Sequence, residues 1–446
     1  MNKNECYKLE IVDISSEGMG VGKHDNCAVF VPNTIMGDVV EAKIIKVAKN
    51  YAVGKLLEII EPSEFRKDTS CEIAGKCGGC QLQNVTYTKQ LDWKRKRVQD
   101  AIKRIGKLDG ITVLPTIGMD EPSHYRNKAQ YPIRKVDGKI QIGFFEKRSH
   151  TIVDLNECMI QDSRNTEIIK IVRNFLEQNN ISIYKEETHK GLVRHLLIKT
   201  SYHFDDIMVC VVVNGEKLPH SDKLVDGLKN ICSSICINVN TTKGNTILGN
   251  KSIVLFGEEY IEDKIGELTF KISPLTFFQV NPLQTEVLYS KAFEFARLTG
   301  SETVFDVYCG IGTISLFVAK QAKKVYGVEI VESAIENAKQ NAVANGIENA
   351  EFFVGKAEDV VTDLYGKGAT ADVVIVDPPR KGCDEKLLDT IMSMSPKRIV
   401  YVSCDPATLA RDLAYIKGYA VEVVQPVDMF PHTNHVENVV LLSKVE

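Results

Sequence analysis

From residue 6 to residue 60, apolar and polar positions alternate in short runs. Turn-forming clusters such as Gly18-Met19-Gly20-Val21-Gly22 and Asn33-Thr34-Ile35-Met36-Gly37-Asp38 break them up. Alternating runs with turns roughly 8–12 residues apart predict a small, OB-like, five-stranded β-barrel, closed at Pro62. A cysteine-rich loop follows over 68–84, then a basic helix from about residue 87 to 107. Residues 113–265 mix strands with one or two helices, one of them over 164–179, and read as α+β. From about Leu268 apolar strands alternate with helical patterns, which predicts a parallel sheet with helices on both faces. The expected domains are a barrel over 1–62, a central domain over 63–265 and an α/β Rossmann-like domain over 266–446. No internal repeat or low-complexity tract appears.

The strands of the last third end in residues that carry chemistry. Val304-Phe305-Asp306-Val307-Tyr308 reads as a buried strand, followed by Cys309-Gly310-Ile311-Gly312-Thr313 and a helix to about residue 320. The next strand, 324–328, ends in Glu329. Glycines there let backbone approach a ligand closely, and an acid closing the second strand suits the two hydroxyls of a ribose. Ser315 stands where a dinucleotide fingerprint has its third glycine. That departure favours S-adenosylmethionine (SAM) over NAD, because SAM has no pyrophosphate to place. A further strand, Asp372-Val373-Val374-Ile375-Val376, delivers Asp377-Pro378-Pro379-Arg380 to the same sheet edge. Ile399-Val400-Tyr401-Val402 then leads into Ser403-Cys404-Asp405-Pro406, with Pro406 stopping the ladder. Ligands of open α/β sheets gather outside the carboxyl ends of strands. Cys404 is thus placed to attack something, although taken alone a buried structural cysteine is the better reading.

With 446 residues, 44% hydrophobic and 26% charged, the chain has the composition of an ordinary soluble protein of several domains. No apolar stretch approaches the roughly 18–20 residues of a membrane span, and Met1-Asn2-Lys3-Asn4-Glu5-Cys6 leads into no apolar signal core. A cytoplasmic protein without a membrane partner is expected. Thiols stay reduced in that compartment, so the twelve cysteines read as metal ligands, nucleophiles or small buried hydrophobes. The net charge of −4 argues against a nucleic-acid binder, but the charge is unevenly spread. Lys89, Lys94, Arg95, Lys96, Arg97, Lys103, Arg104 and Lys107 crowd one segment. Arg126, Lys128, Arg134, Lys135, Lys139, Lys147 and Arg148 crowd another, among Tyr125, Tyr131, Phe144 and Phe145. Cations beside stackable rings suit single-stranded nucleic acid; a solvated helix face is the competing reading of the first run. Cys71-x5-Cys77-Gly78-Gly79-Cys80 places three thiols within ten residues, and Cys158 is available as a fourth ligand. From spacing alone, structural zinc and an iron–sulfur cluster are equally open.

Several of these segments, in order, resemble one family. Asp306-Val307-Tyr308-Cys309-Gly310-Ile311-Gly312, Asp377-Pro378-Pro379-Arg380-Lys381-Gly382, Ser403-Cys404-Asp405-Pro406-Ala407-Thr408-Leu409-Ala410-Arg411-Asp412 and Phe430-Pro431-His432-Thr433-Asn434-His435-Val436-Glu437 are similar to the SAM-dependent RNA uracil-5-methyltransferases. The N-terminal barrel resembles the TRAM module of RNA-modifying enzymes. His124-Tyr125-Arg126-Asn127-Lys128 and Ser149-His150-Thr151-Ile152-Val153-Asp154 resemble the family's central RNA-binding domain. The resemblance implies Cys404 as nucleophile and Glu437 as base, with SAM contacts at Gln279, Tyr308, Glu329 and Asp377. It implies that Cys71, Cys77, Cys80 and Cys158 hold a 4Fe-4S cluster, as in the ribosomal-RNA branch, and that the helix near 88–112 packs on the catalytic domain. It further implies a monomer acting on RNA, 23S rRNA before tRNA. A non-catalytic iron–sulfur RNA-binding protein is the alternative, against which Cys404 and Glu437 together speak. Carbon 5 of uracil is a poor nucleophile, so this chemistry needs a thiolate to add at carbon 6 and a base to remove the carbon-5 proton. A carboxylate is a weak base unless its pKa is raised, so Glu437 is expected to be partly desolvated. Cys6, Cys27, Cys210, Cys232, Cys236, Cys309 and Cys383 read as core or loop residues.

Overall fold

The structure is a computed structural model that describes residues 1–147 and 149–445. Arg148 of the second basic run lies outside the described residues. Strands β1 (Cys6–Ile14), β2 (Gly20–His24), β3 (Cys27–Val31), β4 (Val39–Val47) and β5 (Tyr51–Glu61) close into a barrel in the order β1-β2-β3-β5-β4. Alternation builds it: Val40, Ala42 and Ile44 of β4 point inward onto Leu9, Ile11, Val29 and Val31. Helix α1 (Tyr87–Arg104) follows the cysteine loop.

The central part contains β6 (Lys128–Val136), β7 (Lys139–Phe145), β8 (Ile152–Asp154), α2 (Asn165–Gln178), β9 (Val193–Thr200), β10 (Ile207–Val213), α3 (Ser221–Leu228), β11 (Ser234–Val239) and β12 (Lys251–Gly257). Its strands form one sheet, β12-β11-β10-β9-β6-β7-β8, and α2 and α3 share a core with one face of it. β9 and β10 are buried along their whole length. Their other face meets the catalytic part, where Met208 of β10 joins its core.

The hairpin β13 (Ile261–Ile265)–β14 (Leu268–Ile272) comes next. The limit expected at residue 265 falls in its turn, and both strands pack into the catalytic core through Ile261, Ile265, Leu268 and Phe270. There follow α4 (Pro282–Ala296), β15 (Thr303–Val307), α5 (Thr313–Ala319), β16 (Lys324–Glu329), α6 (Glu332–Ala344), β17 (Ala350–Val354) and α7 (Ala357–Gly366). The chain ends in β18 (Val373–Val376), α8 (Glu385–Met394), β19 (Arg398–Ser403), α9 (Pro406–Tyr415), β20 (Tyr419–Val427) and β21 (Glu437–Lys444). These strands form the sheet β17-β16-β15-β18-β19-β21-β20. Five of them are parallel, as the strand–helix alternation predicts, but β21 inserts antiparallel between β19 and β20. Residues 428–436 join β20 to β21 with no crossover helix, and a connection of that kind returns the chain as an antiparallel neighbour.

α1 packs on α9. Val98 and Ile102 share a core with Leu409 and Leu413, and each such side chain contributes about 1.5–3 kcal/mol when fully buried. The cations of α1 correct the reading of an RNA-facing run. Lys94 is completely buried against Asp428. Arg95 donates twice to the Val113 carbonyl, Arg97 donates to the Asn434 carbonyl, and Lys96 pairs with Asp13 and Asp100. Lys103, Arg104 and Lys107 remain exposed. In the second run Tyr125 and Tyr131 are buried rather than offered for stacking, and Arg134 pairs with Glu186. A long cationic side chain satisfies a buried carbonyl as well as a phosphate, and the sequence pattern of the two uses is the same. No helix among the described residues is long and apolar enough to cross a membrane.

Candidate active site

The carboxyl ends of β15, β16, β18 and β19 open into one cavity of about 1270 Å³. Gln279, Tyr308, Glu329, Asp377, Cys404 and Glu437 all line it, so the six residues singled out from the sequence converge. Cys404 occupies the elbow between β19 and α9. The Ser403 hydroxyl accepts from the Asp405 N–H (3.2 Å), and the Asp405 carboxylate caps α9 by accepting from Ala407 and Thr408 N–H (2.8 and 3.1 Å). Pro406 in the first turn completes a sharp strand-to-helix turn.

Glu437 arrives through strand register. Ser403 pairs with Asn438 in the antiparallel β19–β21 ladder. The ladder ends there, and the residues just beyond it, Cys404 and Glu437, line the cavity, the two close enough to influence each other electrostatically. Asn438 reinforces the pairing, its Nδ2 donating to the Ser403 carbonyl at 3.3 Å. Glu437 is 5% exposed. Burial, and then the neighbouring Asp377, push its carboxyl from 4.5 up to about 8, with Arg380 opposing. Burial pushes Asp377 up to about 6. Burial, and then Glu437 and Asp377, push the Cys404 thiol up to about 12, again with Arg380 opposing. The charged forms of Cys404, Asp377 and Glu437 are thus all disfavoured, with Arg380 opposing the shifts of Cys404 and Glu437.

The other end of the cavity fits a nucleoside. Glu329 accepts the N–H groups of Gly310 (3.2 Å) and Val331 (3.0 Å). A carboxylate has about four lone-pair sites, so capacity remains for ribose hydroxyls. Gly312 has φ +81°, and a Cβ there would stand 3.2 Å from Ala338 and from the Phe352 ring, which explains the glycine. Tyr308 turns the chain after β15 with φ +70°. Behind it, buried Asp306 accepts the Ser315 hydroxyl on Oδ2 (2.5 Å), while Oδ1 has no partner among the described residues. Burial raises Asp306 to about 7.

Sequence reasoning assigned no role to Arg380, Phe430 or His435, which line the same cavity, although all three lie within recognised segments. It also missed two supports in the central part. Asn127 donates to the Gln279 carbonyl (Nδ2, 3.0 Å) and to the Val280 carbonyl (N–H, 2.9 Å). Lys199 of β9 donates to the Ser273 and Thr276 carbonyls, both at 2.7 Å. The run Leu196-Leu197-Ile198 leading into Lys199 is the signal that points to a lysine drawn into the interior.

The sequence profile described as tRNA (Uracil-5-)-methyltransferase matches residues 86–445, and the TRAM domain profile matches residues 2–57. The chain belongs to the tRNA (uracil-5-)-methyltransferase family. A Clostridium tetani protein named as an uncharacterized RNA methyltransferase is 51% identical over 99% of this chain and 97% of its own. One from Halalkalibacterium halodurans, likewise named, is 50% identical over 99% and 98%. Among solved structures, the Pyrococcus abyssi tRNA (uracil-54, C5)-methyltransferase in complex with S-adenosyl-L-homocysteine superposes with a TM-score of 0.80. It is 28% identical and covers 98% of this chain and 100% of its own. The chain is a SAM-dependent RNA methyltransferase of the uracil-5 family with a TRAM barrel.

This methyltransferase also gathers its four spaced cysteines. The 68–84 loop packs on the β7–β8 hairpin, with Gly78 N–H donating to the Phe145 carbonyl (3.1 Å) and Cys77 bridging to Glu146. Cys71, Cys77, Cys80 and Cys158 carry free thiols, and all six pairs among them interact electrostatically. Burial, then Cys158, raises Cys80 to about 12; burial raises Cys77 and Cys158 too. Among the described residues, no three His, Cys, Asp or Glu side chains draw together around a single ion.

Proposed function

We propose that this methyltransferase transfers a methyl group from SAM to carbon 5 of a uridine in 23S rRNA, with Cys404 as the nucleophile and Glu437 as the base. The observation that carries the reading is that one thiol and one buried carboxyl, at the ends of the adjacent strands β19 and β21, line the same cavity. Addition of the Cys404 thiolate to carbon 6 of uracil puts electron density on carbon 5. SAM supplies an electrophilic methyl on a sulfonium. Glu329 would hold its ribose, and Gln279, Tyr308 and Asp377 the rest of it. A positive charge in the cavity lowers every acid that faces it, Cys404 and Glu437 included. Ionised Glu437 then takes the proton from carbon 5. Its raised pKa makes it a stronger base than a solvated carboxylate. Departure of the Cys404 thiolate restores the ring double bond.

The TRAM barrel together with four clustered cysteines supports 23S rRNA, the combination of the ribosomal-RNA branch. Likeness over the full length to the Pyrococcus abyssi tRNA enzyme favours tRNA as a second reading. Total RNA from a strain lacking the gene, treated with the purified chain and labelled SAM, separates them. Label as 5-methyluridine in 23S rRNA is expected; label only in tRNA overturns the substrate, and label elsewhere than carbon 5 overturns the reaction.

We also propose that Cys71, Cys77, Cys80 and Cys158 hold a 4Fe-4S cluster. In such a cluster each thiolate binds its own iron, whereas zinc gathers its sulfurs at about 2.3 Å from one centre. Four free thiols close enough to influence one another electrostatically support a shared site, and the preference for the cluster over zinc follows from the resemblance to the ribosomal-RNA branch. Anaerobically purified protein is expected to contain iron and acid-labile sulfide; zinc without iron overturns the cluster.

A further inference from the structure

The connection from β20 to β21, residues 428–436, passes Phe430 and His435 into the cavity and ends at Glu437. Several parts of the chain grip it, among them Tyr125 of the central part, whose hydroxyl donates to the Pro431 carbonyl (3.1 Å), and Asn281, whose Nδ2 donates to the Met429 carbonyl (3.1 Å). From α1, Lys94 donates to the Phe430 carbonyl (3.0 Å), and the Gln90 amide both accepts from the His432 N–H (2.9 Å) and meets His432 Nδ1 (3.1 Å). From the barrel, the Ser16 carbonyl accepts from Asn434 Nδ2. From the cysteine loop, the N–H groups of Gln81 and Leu82 both donate to the His432 carbonyl, at 3.0 and 2.9 Å.

Gln81 joins the cysteine loop to this segment through both its backbone and its side chain. Its Oε1 accepts from the Asn434 N–H at 3.3 Å, three residues before Glu437, and its Nε2 donates to the Gly78 carbonyl at 2.8 Å, between Cys77 and Cys80. The barrel turn closes over it: Gly18 has φ +78°, and a Cβ there would lie 2.5 Å from Gln81 Cβ. The side chain of Gln81 is thus a strut between the cysteine loop and the segment that delivers the carboxyl.

We propose that Gln81 is a positioning residue for proton removal, holding the 428–436 segment so that Glu437 stays near Cys404. The inference rests on the covalent reading above. Its selectivity follows from what Gln81 does not touch. Cys404 is set by β19 and the Asp405 cap, so loosening the strut leaves the thiol in place and displaces only the carboxyl. A displacement of about 1 Å at a reacting group costs up to about 10²-fold in rate. Addition of Cys404 and methyl transfer therefore proceed in a Gln81 variant, while loss of the carbon-5 proton slows and the covalent protein–RNA adduct accumulates.

The test uses the full-length, anaerobically purified chain with SAM and total RNA from a strain lacking the gene, followed by rapid quenching. Adduct is counted on denaturing gels and 5-methyluridine in the digested RNA. Gln81→Met keeps the bulk and removes both hydrogen bonds; Gln81→Glu keeps the acceptor for Asn434; Glu437→Gln serves as the reference trap. Gln81→Met is expected to form adduct at the wild-type rate and release it about tenfold more slowly, with Gln81→Glu restoring release. Equal slowing of formation and release, or wild-type release, in Gln81→Met overturns the positioning role while an adduct in Glu437→Gln leaves the covalent reading standing. No adduct in Glu437→Gln overturns that reading and the inference with it.

Discussion

Replacing Glu437 by Gln is expected to stabilise the folded chain, and to do so far more at pH 8 than at pH 5. The folded carboxyl is raised from 4.5 to about 8, so folding takes up a proton in this interval. Its contribution is fully present below the unfolded value of 4.5 and is lost as pH rises through about 8. At about 1.4 kcal/mol per pKa unit, the fully developed cost of keeping Glu437 is roughly 5 kcal/mol; it is about 1 kcal/mol near pH 5 and about 4 kcal/mol near pH 8. Glutamine does not titrate, and its own packing and hydrogen-bonding costs are the same at both pH values. The difference of about 3 kcal/mol is therefore the part due to ionisation. For a cooperative unit the size of the catalytic part, one kcal/mol moves Tm by about 2–4 °C. Scanning calorimetry without SAM should then show the variant gaining about 6–12 °C more at pH 8 than at pH 5. An equal Tm difference at the two pH values would refute the claim that Glu437 is a desolvated carboxyl. A site that stores this cost for its chemistry fits the general trade of stability for activity.

Cys404→Ala is expected to lower methylation by at least about 10³-fold while SAM binding, followed by titration calorimetry, is retained; unchanged turnover would remove the nucleophile. With SAM and RNA saturating, decay of the covalent protein–RNA adduct should quicken as pH rises and Glu437 ionises, and a flat profile of adduct decay would point to another base. Lys94→Met leaves Asp428 buried without its cation and should cost about 3–5 kcal/mol in denaturant unfolding. Adding Asp428→Asn should recover part of that loss, and strict additivity would count against the pair.

The motif-bearing strands were legible because each is a short, mostly apolar run leading directly into a motif of polar or reactive residues. Val304–Val307, Val373–Val376 and Ile399–Val402 all proved to be strands of one sheet. The pairing that matters most was not legible. Nothing local in β21 says that it inserts antiparallel beside β19, yet that pairing brings Glu437 into the neighbourhood of Cys404. The basic helix misled for a related reason. Lys94, Arg95 and Arg97 spend their donors on Asp428 and on the Val113 and Asn434 carbonyls, partners that lie far away in sequence. The cysteine loop was recognised from its spacing, but its contact with the Glu437 connection through Gln81 depends on tertiary proximity that no periodicity encodes.

The central claim is that a Cys404 thioether to uridine forms on the path to methylation. Glu437→Gln incubated with SAM and RNA, then digested with nuclease and protease, can be analysed by mass spectrometry. The expected product is a Cys404 peptide carrying one methylated uridine. An unmodified Cys404 peptide, or a uridine attached to any other residue, would contradict the mechanism.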